Sequence, residues 1–124
     1  MASRRPLIAV VDDDDSVRES LGGLFRSIGF ATQVFTSAAE LLQSDDFLAI
    51  DCAILDVRMP GMTGLELQSR LIASHRNLPL IFMTAHDDVQ TRAQALSGGA
   101  VDYLIKPFSE KALLDAVQAA LSLK

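Results

Sequence analysis

Five side chains able to do chemistry stand where short apolar runs of this 124-residue chain give out. They are Asp12 and Asp13 after Leu7–Val11, Asp56 after Ala53-Ile54-Leu55, Thr84 after Leu80-Ile81-Phe82-Met83, and Lys106 after Tyr103-Leu104-Ile105. A carboxylate at the end of a buried strand loses hydration and resists ionising unless a cation or a donor compensates it. Three carboxylates gathered in one place repel one another. Hard oxygen donors at that density suit Mg2+, which keeps several waters and binds through a few carboxylates together with a phosphate. A phosphoryl group is then the natural further ligand for an ammonium and a hydroxyl. Taken singly, each residue has an ordinary explanation: Asp56 starts a turn, the run Asp12 to Asp15 caps a helix, Lys106 is a surface lysine and Thr84 a strand residue. Only their convergence argues otherwise.

That convergence depends on the elements that carry them. Leu7–Val11 is a continuous apolar run, the mark of a strand buried on both faces of a parallel sheet. From residue 17, Val17, Leu21, Leu24, Phe25 and Ile28 form one stripe of a helix whose start is signalled by Ser16 and Glu19 and whose stop is Gly29. Residues 30–35 predict a second strand, less apolar and so nearer an edge, and residues 37–44 a short helix opened by Ser37 and Glu40. Residues 51–56 form the third strand. After the Pro-Gly loop, residues 64–75 form a helix with Leu65, Leu71 and Ile72 on its stripe and Leu67 off it. Residues 79–84 are the fourth strand. Residues 87–97 make a weak helix with only Val89, Ala93 and Leu96 to bury, closed by Gly98-Gly99. Residues 101–105 are the fifth strand, and Ser109 caps a last helix with Leu113, Leu114, Val117, Ala120 and Leu121 inward.

Five strands alternating with five helices through short connections specify an α/β domain with a five-stranded parallel sheet and helices on both faces. The common strand order in such doubly wound sheets is 2-1-3-4-5, and ligands bind at the carboxyl ends of the strands beside the switch point. All five candidate residues fall on that rim.

Composition narrows the function classes. A formal net charge of −5 argues against direct nucleic-acid binding by this chain, because such affinity comes mostly from Lys and Arg neutralising phosphates. The single cysteine, Cys52, lies in an apolar segment, so a disulfide framework is not available and a reduced, cytoplasmic setting is expected. No run is long enough for a membrane span or a secretion signal. The expected organisation is one domain over residues 1–124, with 1–6 as an N-terminal tail.

The chain resembles a two-component response-regulator receiver domain, CheY-like and closer to the FixJ kind. The residues that carry the likeness are Val10-Val11-Asp12-Asp13, Asp56-Val57-Arg58-Met59-Pro60-Gly61-Met62-Thr63-Gly64, Met83-Thr84-Ala85, and the run from Gly99 to Phe108 that contains Lys106-Pro107. The resemblance spans residues 7 to 122. It implies a phosphoryl-accepting switch that is not itself an enzyme. Asp56 is then the phospho-acceptor, served by a sensor histidine kinase or a small phosphodonor. Asp12, Asp13, Asp56 and the backbone carbonyl of Arg58 hold Mg2+. Lys106, Thr84 and the backbone N–H of Ala85 bind the phosphoryl oxygens, and the Lys106-Pro107 bond is cis. Thr84 and Tyr103 form the switch, which reshapes the face made by helix four, strand five and helix five to control homodimerisation or an output domain. Arg58 and His86, two positions after Asp56 and Thr84, are expected to tune dephosphorylation.

Two other classes compete. A Mg2+-dependent phosphatase of the haloacid-dehalogenase kind would use Asp12-x-Asp14, but it would leave Asp56 unused and lack room for a cap. A flavodoxin-like electron carrier would need a hydroxyl- and Gly-rich phosphate loop after the first strand, where this chain has acids. A stand-alone regulator and the receiver portion of a longer helix-turn-helix protein both fit the sequence. His75 reads as a surface residue, and Cys52, Phe25 and Met83 as core.

Overall fold

The computed structural model describes residues 5–123; most of the expected tail at 1–6 lies outside them. Its elements are β1 (Leu7–Val11), α1 (Asp15–Ser27), β2 (Ala31–Phe35), α2 (Ala38–Leu42), a 3-10 turn (Phe47–Ala49), β3 (Cys52–Asp56), α3 (Gly64–Ala73), β4 (Leu80–Thr84), α4 (Val89–Ser97), β5 (Asp102–Ile105) and α5 (Glu110–Leu121). All strand pairs are parallel, in the order β2-β1-β3-β4-β5, so β2 is indeed an edge.

Strand side chains alternate between the two faces of the sheet, and each face has its own core. Ile8, Val10, Cys52, Ile54, Ile81, Met83 and Leu104 pack with Leu21 and Phe25 of α1 and Leu113, Ala116, Val117 and Ala120 of α5. Ala9, Val11, Ala53, Leu55, Phe82 and Tyr103 pack with Leu41 of α2, Leu67 and Leu71 of α3 and Ala95 of α4. Each large side chain taken fully out of water contributes roughly 1.5–3 kcal/mol, so both faces are needed to hold the sheet.

Three local expectations are corrected. The N-cap of α1 is Asp14, whose side chain accepts from the Ser16 N–H, rather than Ser16 with Glu19. On α3 the buried stripe runs through Leu67 and Leu71 while Ile72 is exposed, since the helix lies over the sheet along the 67–71 row. On α4 the anticipated stripe faces outward: Val89, Ala93 and Leu96 are exposed and Ala95 alone is buried. Short apolar runs with few members leave the helix phase undetermined by sequence.

Candidate functional site

The sheet register levels the strand ends. Val11 is opposite Leu55, Asp56 opposite Met83, and Thr84 opposite Ile105. Asp12 therefore stands one residue beyond β1 beside the end of β3, and Lys106 one residue beyond β5. The main chain continues the ladder past the strands, with the Lys106 N–H donating to the Thr84 carbonyl at 2.8 Å and the Val57 N–H to Met83 at 3.0 Å.

Lys106 is the centre of the cluster. Its Nζ donates to Asp56 Oδ2 at 2.9 Å and lies 3.4 Å from Asp12 Oδ2. Burial disfavours its charge, but the hydrogen bond and field of Asp56, with Asp12 behind it, hold its pKa above the ordinary value. Asp12 is buried, with 1% of its surface exposed, and desolvation raises its pKa despite the Asp14 N–H, which donates to Oδ1 at 2.9 Å, and the Lys106 charge. Asp56 keeps a partly exposed carboxylate whose Oδ1 accepts from the Arg58 N–H at 2.8 Å. A carboxylate with one oxygen on a backbone donor and the other on an ammonium thereby stands at the rim.

The loop after Asp56 is closed rather than loose. Gly61 takes a positive φ of 80°, which an L side chain rarely adopts, and so turns the chain back. The Gly64 N–H donates to the Val57 carbonyl at 2.9 Å. Thr63 then opens α3 in a reciprocal capping box with Glu66, a T-x-x-E signal legible in the sequence but missed there. Gly64 itself sits against the site: a Cβ there would lie 2.8 Å from the Phe82 ring and 3.0 Å from the Asp56 carbonyl oxygen.

The other anticipated residues are distributed more widely. Asp13 is exposed at the rim. Thr84 is buried, and its hydroxyl donates to the His86 carbonyl and accepts from the His86 N–H, both at 3.1 Å, so it is turned into its own loop. Ala85, Arg58 and His86 are exposed, and Arg58 meets Asp56, and His86 meets Thr84, through the main chain. Tyr103 is buried in the core on the α4 side. The Lys106-Pro107 bond is cis. The Asp14 side chain is spent on the α1 cap, accepting from the Ser16 N–H and hydroxyl, while its own N–H donates to Asp12. Arg18 is an addition: one nitrogen donates to the Asp12 carbonyl at 2.6 Å while the guanidinium also pairs with Asp15, so the base of the acid loop is tied to α1. Its spacing of six from Asp12 gave no signal.

Among the described residues no trio of His, Cys, Asp or Glu side chains is arranged to hold a metal ion. The donor set nonetheless fits Mg2+, which needs only one or two carboxylates and retains its waters: Asp12 is a buried carboxylate short of counter-charge, and Asp56 stands within reach of the same ammonium.

Fold and site together define a doubly wound α/β domain with a lysine-bridged aspartate pair at its switch point. The chain belongs to the response regulator receiver domain family, whose sequence profile matches residues 8–118. It is 47% identical over 119 residues to nodulation protein W of Bradyrhizobium diazoefficiens, covering 96% of this chain and 52% of that protein. It is 46% identical over 114 residues to the transcriptional regulatory protein FixJ of Azorhizobium caulinodans, covering 92% and 54%. Among solved structures it resembles the response regulator StyR, with a TM-score of 0.89, 45% identity and coverage of 97% of this chain and 61% of that one. It also resembles the N-terminal part of FixJ, with a TM-score of 0.86, 33% identity and coverage of 97% and 96%. The chain spans about half the length of the curated relatives it matches. It is thus a two-component receiver domain, of a family that in general works with histidine kinases and binds Mg2+ at its acidic pocket.

Proposed function

We propose that this chain is a phosphoryl-accepting signalling switch in which Asp56 is the acceptor. The observation that carries the reading is the Lys106 ammonium held between Asp56 and Asp12 at the rim of the sheet. In the reaction an Asp56 carboxylate oxygen attacks phosphorus, forming a P–O bond as the P–N bond of a kinase phosphohistidine breaks. The electron pair leaves on the imidazole nitrogen. A small acyl phosphate serves equally, its carboxylate leaving with the P–O electrons. The chain supplies alignment and charge rather than proton transfer. The Arg58 N–H orients the nucleophile, and the Lys106 ammonium passes from Asp56 Oδ2 to a phosphoryl oxygen. The Thr84 hydroxyl turns from His86 to a second, joined by the Ala85 N–H. Asp12, Asp13, Asp56 and the Arg58 carbonyl would hold Mg2+, which when bound neutralises phosphoryl charge.

Once Thr84 turns inward, the space it leaves takes the ring of Tyr103, and the α4-β5-α5 face changes. The exposed Val89 and Leu96 on that face suit homodimerisation in the phosphorylated state. Control of transcription through an output domain is supported by the relative named as a transcriptional regulatory protein, and a cytoplasmic site of action by the kinase partnership. Arg58 and His86 tune the lifetime of the acyl phosphate. The domain assists its own phosphorylation without being an enzyme.

The test is incubation with acetyl phosphate and Mg2+ followed by mass spectrometry. Label is expected on Asp56 and lost in Asp56→Asn. Label appearing on Asp12 instead, or turnover of foreign phosphate esters, would overturn the reading.

A further inference from the structure

The ring of Tyr103 poses an energetic problem. It is 7% exposed, and its hydroxyl is buried with no hydrogen-bond partner. A buried hydroxyl left unpaired costs free energy that the packing around it must offset. The α4 side of that packing is thin, because Ala95 is the one buried residue of the helix.

A cation covers the ring instead. The Arg92 guanidinium carbon stands 5.5 Å from the Tyr103 ring centroid, inside the range at which a cation is attracted to an aromatic face. The same guanidinium also pairs with Asp87 Oδ1 at 3.1 Å. Asp87 lies next to His86, whose N–H and carbonyl hold the Thr84 hydroxyl. A continuous set of contacts therefore runs from Thr84 through the 85–88 loop and Arg92 to Tyr103.

We infer that Arg92 is a positioning residue of the switch: paired with Asp87, it holds the Tyr103 ring buried beside the loop that binds Thr84. The inference rests on the receiver reading above. When Thr84 leaves His86 for the phosphoryl group, the loop bearing Asp87 loses two bonds, and Arg92 is the side chain that transmits its position to the ring. With Arg92 in place the ring starts from a buried position, so less of the phosphoryl binding energy goes into drawing it into the space that Thr84 leaves.

Tyr103 is the only tyrosine of a chain without tryptophan, so its fluorescence reports this ring alone. The experiment compares acrylamide quenching and beryllofluoride titration, with Mg2+ present, for the unaltered protein, Arg92→Gln, Arg92→Lys and Asp87→Asn. Arg92 is partly exposed, and these variants are expected to fold. Arg92→Gln should raise the quenching constant and weaken apparent beryllofluoride affinity by about two- to fivefold, the size of an exposed cation–π contact. Arg92→Lys should recover part of both, and Asp87→Asn should shift both in the Gln direction. Unchanged quenching in Arg92→Gln overturns the inference, and so does raised quenching with unchanged affinity. Failure of the unaltered protein to respond to beryllofluoride counts against the receiver reading instead, and the quenching comparison then decides the Arg92 contact by itself.

Discussion

Lys106 Nζ sits 2.9 Å from Asp56 Oδ2 although 50 positions separate the two residues. The pairing spans β5 and β3, which are not adjacent, and it is made only because both strands end on the same rim with β4 between them. Removing the ammonium leaves Asp12 and Asp56 facing each other with the Asp14 and Arg58 N–H groups as their remaining donors. Lys106→Met is expected to lower stability by about 1–2 kcal/mol, less than for a fully buried pair because the lysine is partly hydrated. Urea denaturation checks this, and beryllofluoride binding should weaken in the same variant by more than tenfold.

Asp12 makes stability depend on pH in a definite direction. Its folded pKa is raised, mainly by burial, so between its ordinary value of 3.8 and the raised one the folded state holds a proton that the unfolded state has lost. Its contribution is therefore full below the ordinary value and is lost as pH rises through the raised one. Asp12→Asn is expected to be more stable than the unaltered protein at neutral pH without divalent cations. The difference should shrink on acidification or on adding Mg2+. Denaturation of both proteins across pH 3 to 8, roughly the span of carboxylate titration, measures it; a constant difference would refute the assignment.

Gly64 is placed where no side chain fits. In Gly64→Ala the new methyl group meets the Phe82 ring and the Asp56 carbonyl, so either α3 or the Asp56 backbone must shift. A loss of about 1–3 kcal/mol in unfolding free energy is expected from such overpacking. Slower labelling of Asp56 by acetyl phosphate should accompany it, because Asp56 is carried on the displaced segment.

The orphaned Tyr103 hydroxyl predicts a stabilising substitution. Tyr103→Phe keeps the ring in its core and removes the unpaired group, so unfolding free energy should rise by about 1 kcal/mol. A lower melting temperature for this variant would mean that the hydroxyl has a partner in solution.

Much of the architecture was legible because it rests on local signals. Apolar runs such as Leu80-Ile81-Phe82-Met83 announced strands, Ser37, Ser109 and Gly29 marked helix ends, and the alternation of elements left one common sheet order. Asp56, Asp12, Lys106 and Thr84 were legible as strand-end polar groups, since burying them without purpose is costly. The phases of α3 and α4 were not legible, because Leu67, Ile72, Val89 and Leu96 are equally apolar in sequence and only the angle at which each helix meets the sheet decides which of them is covered.

The sequence by itself determined that acids, a hydroxyl and an ammonium would lie on one rim, since each ends a strand of the same parallel sheet. Tertiary structure alone decided how they divide. Alternation along the strands puts Asp56 in line with Ile54 on the α1 and α5 side, and Thr84 in line with Phe82 on the α3 and α4 side with Tyr103. The aspartate–lysine cluster and the Thr84–Tyr103 pair thus belong to opposite faces of the sheet. Which side chain then bonds to which, Lys106 to Asp56 or Thr84 to His86, follows from distances and burial that no spacing of residues along the chain contains.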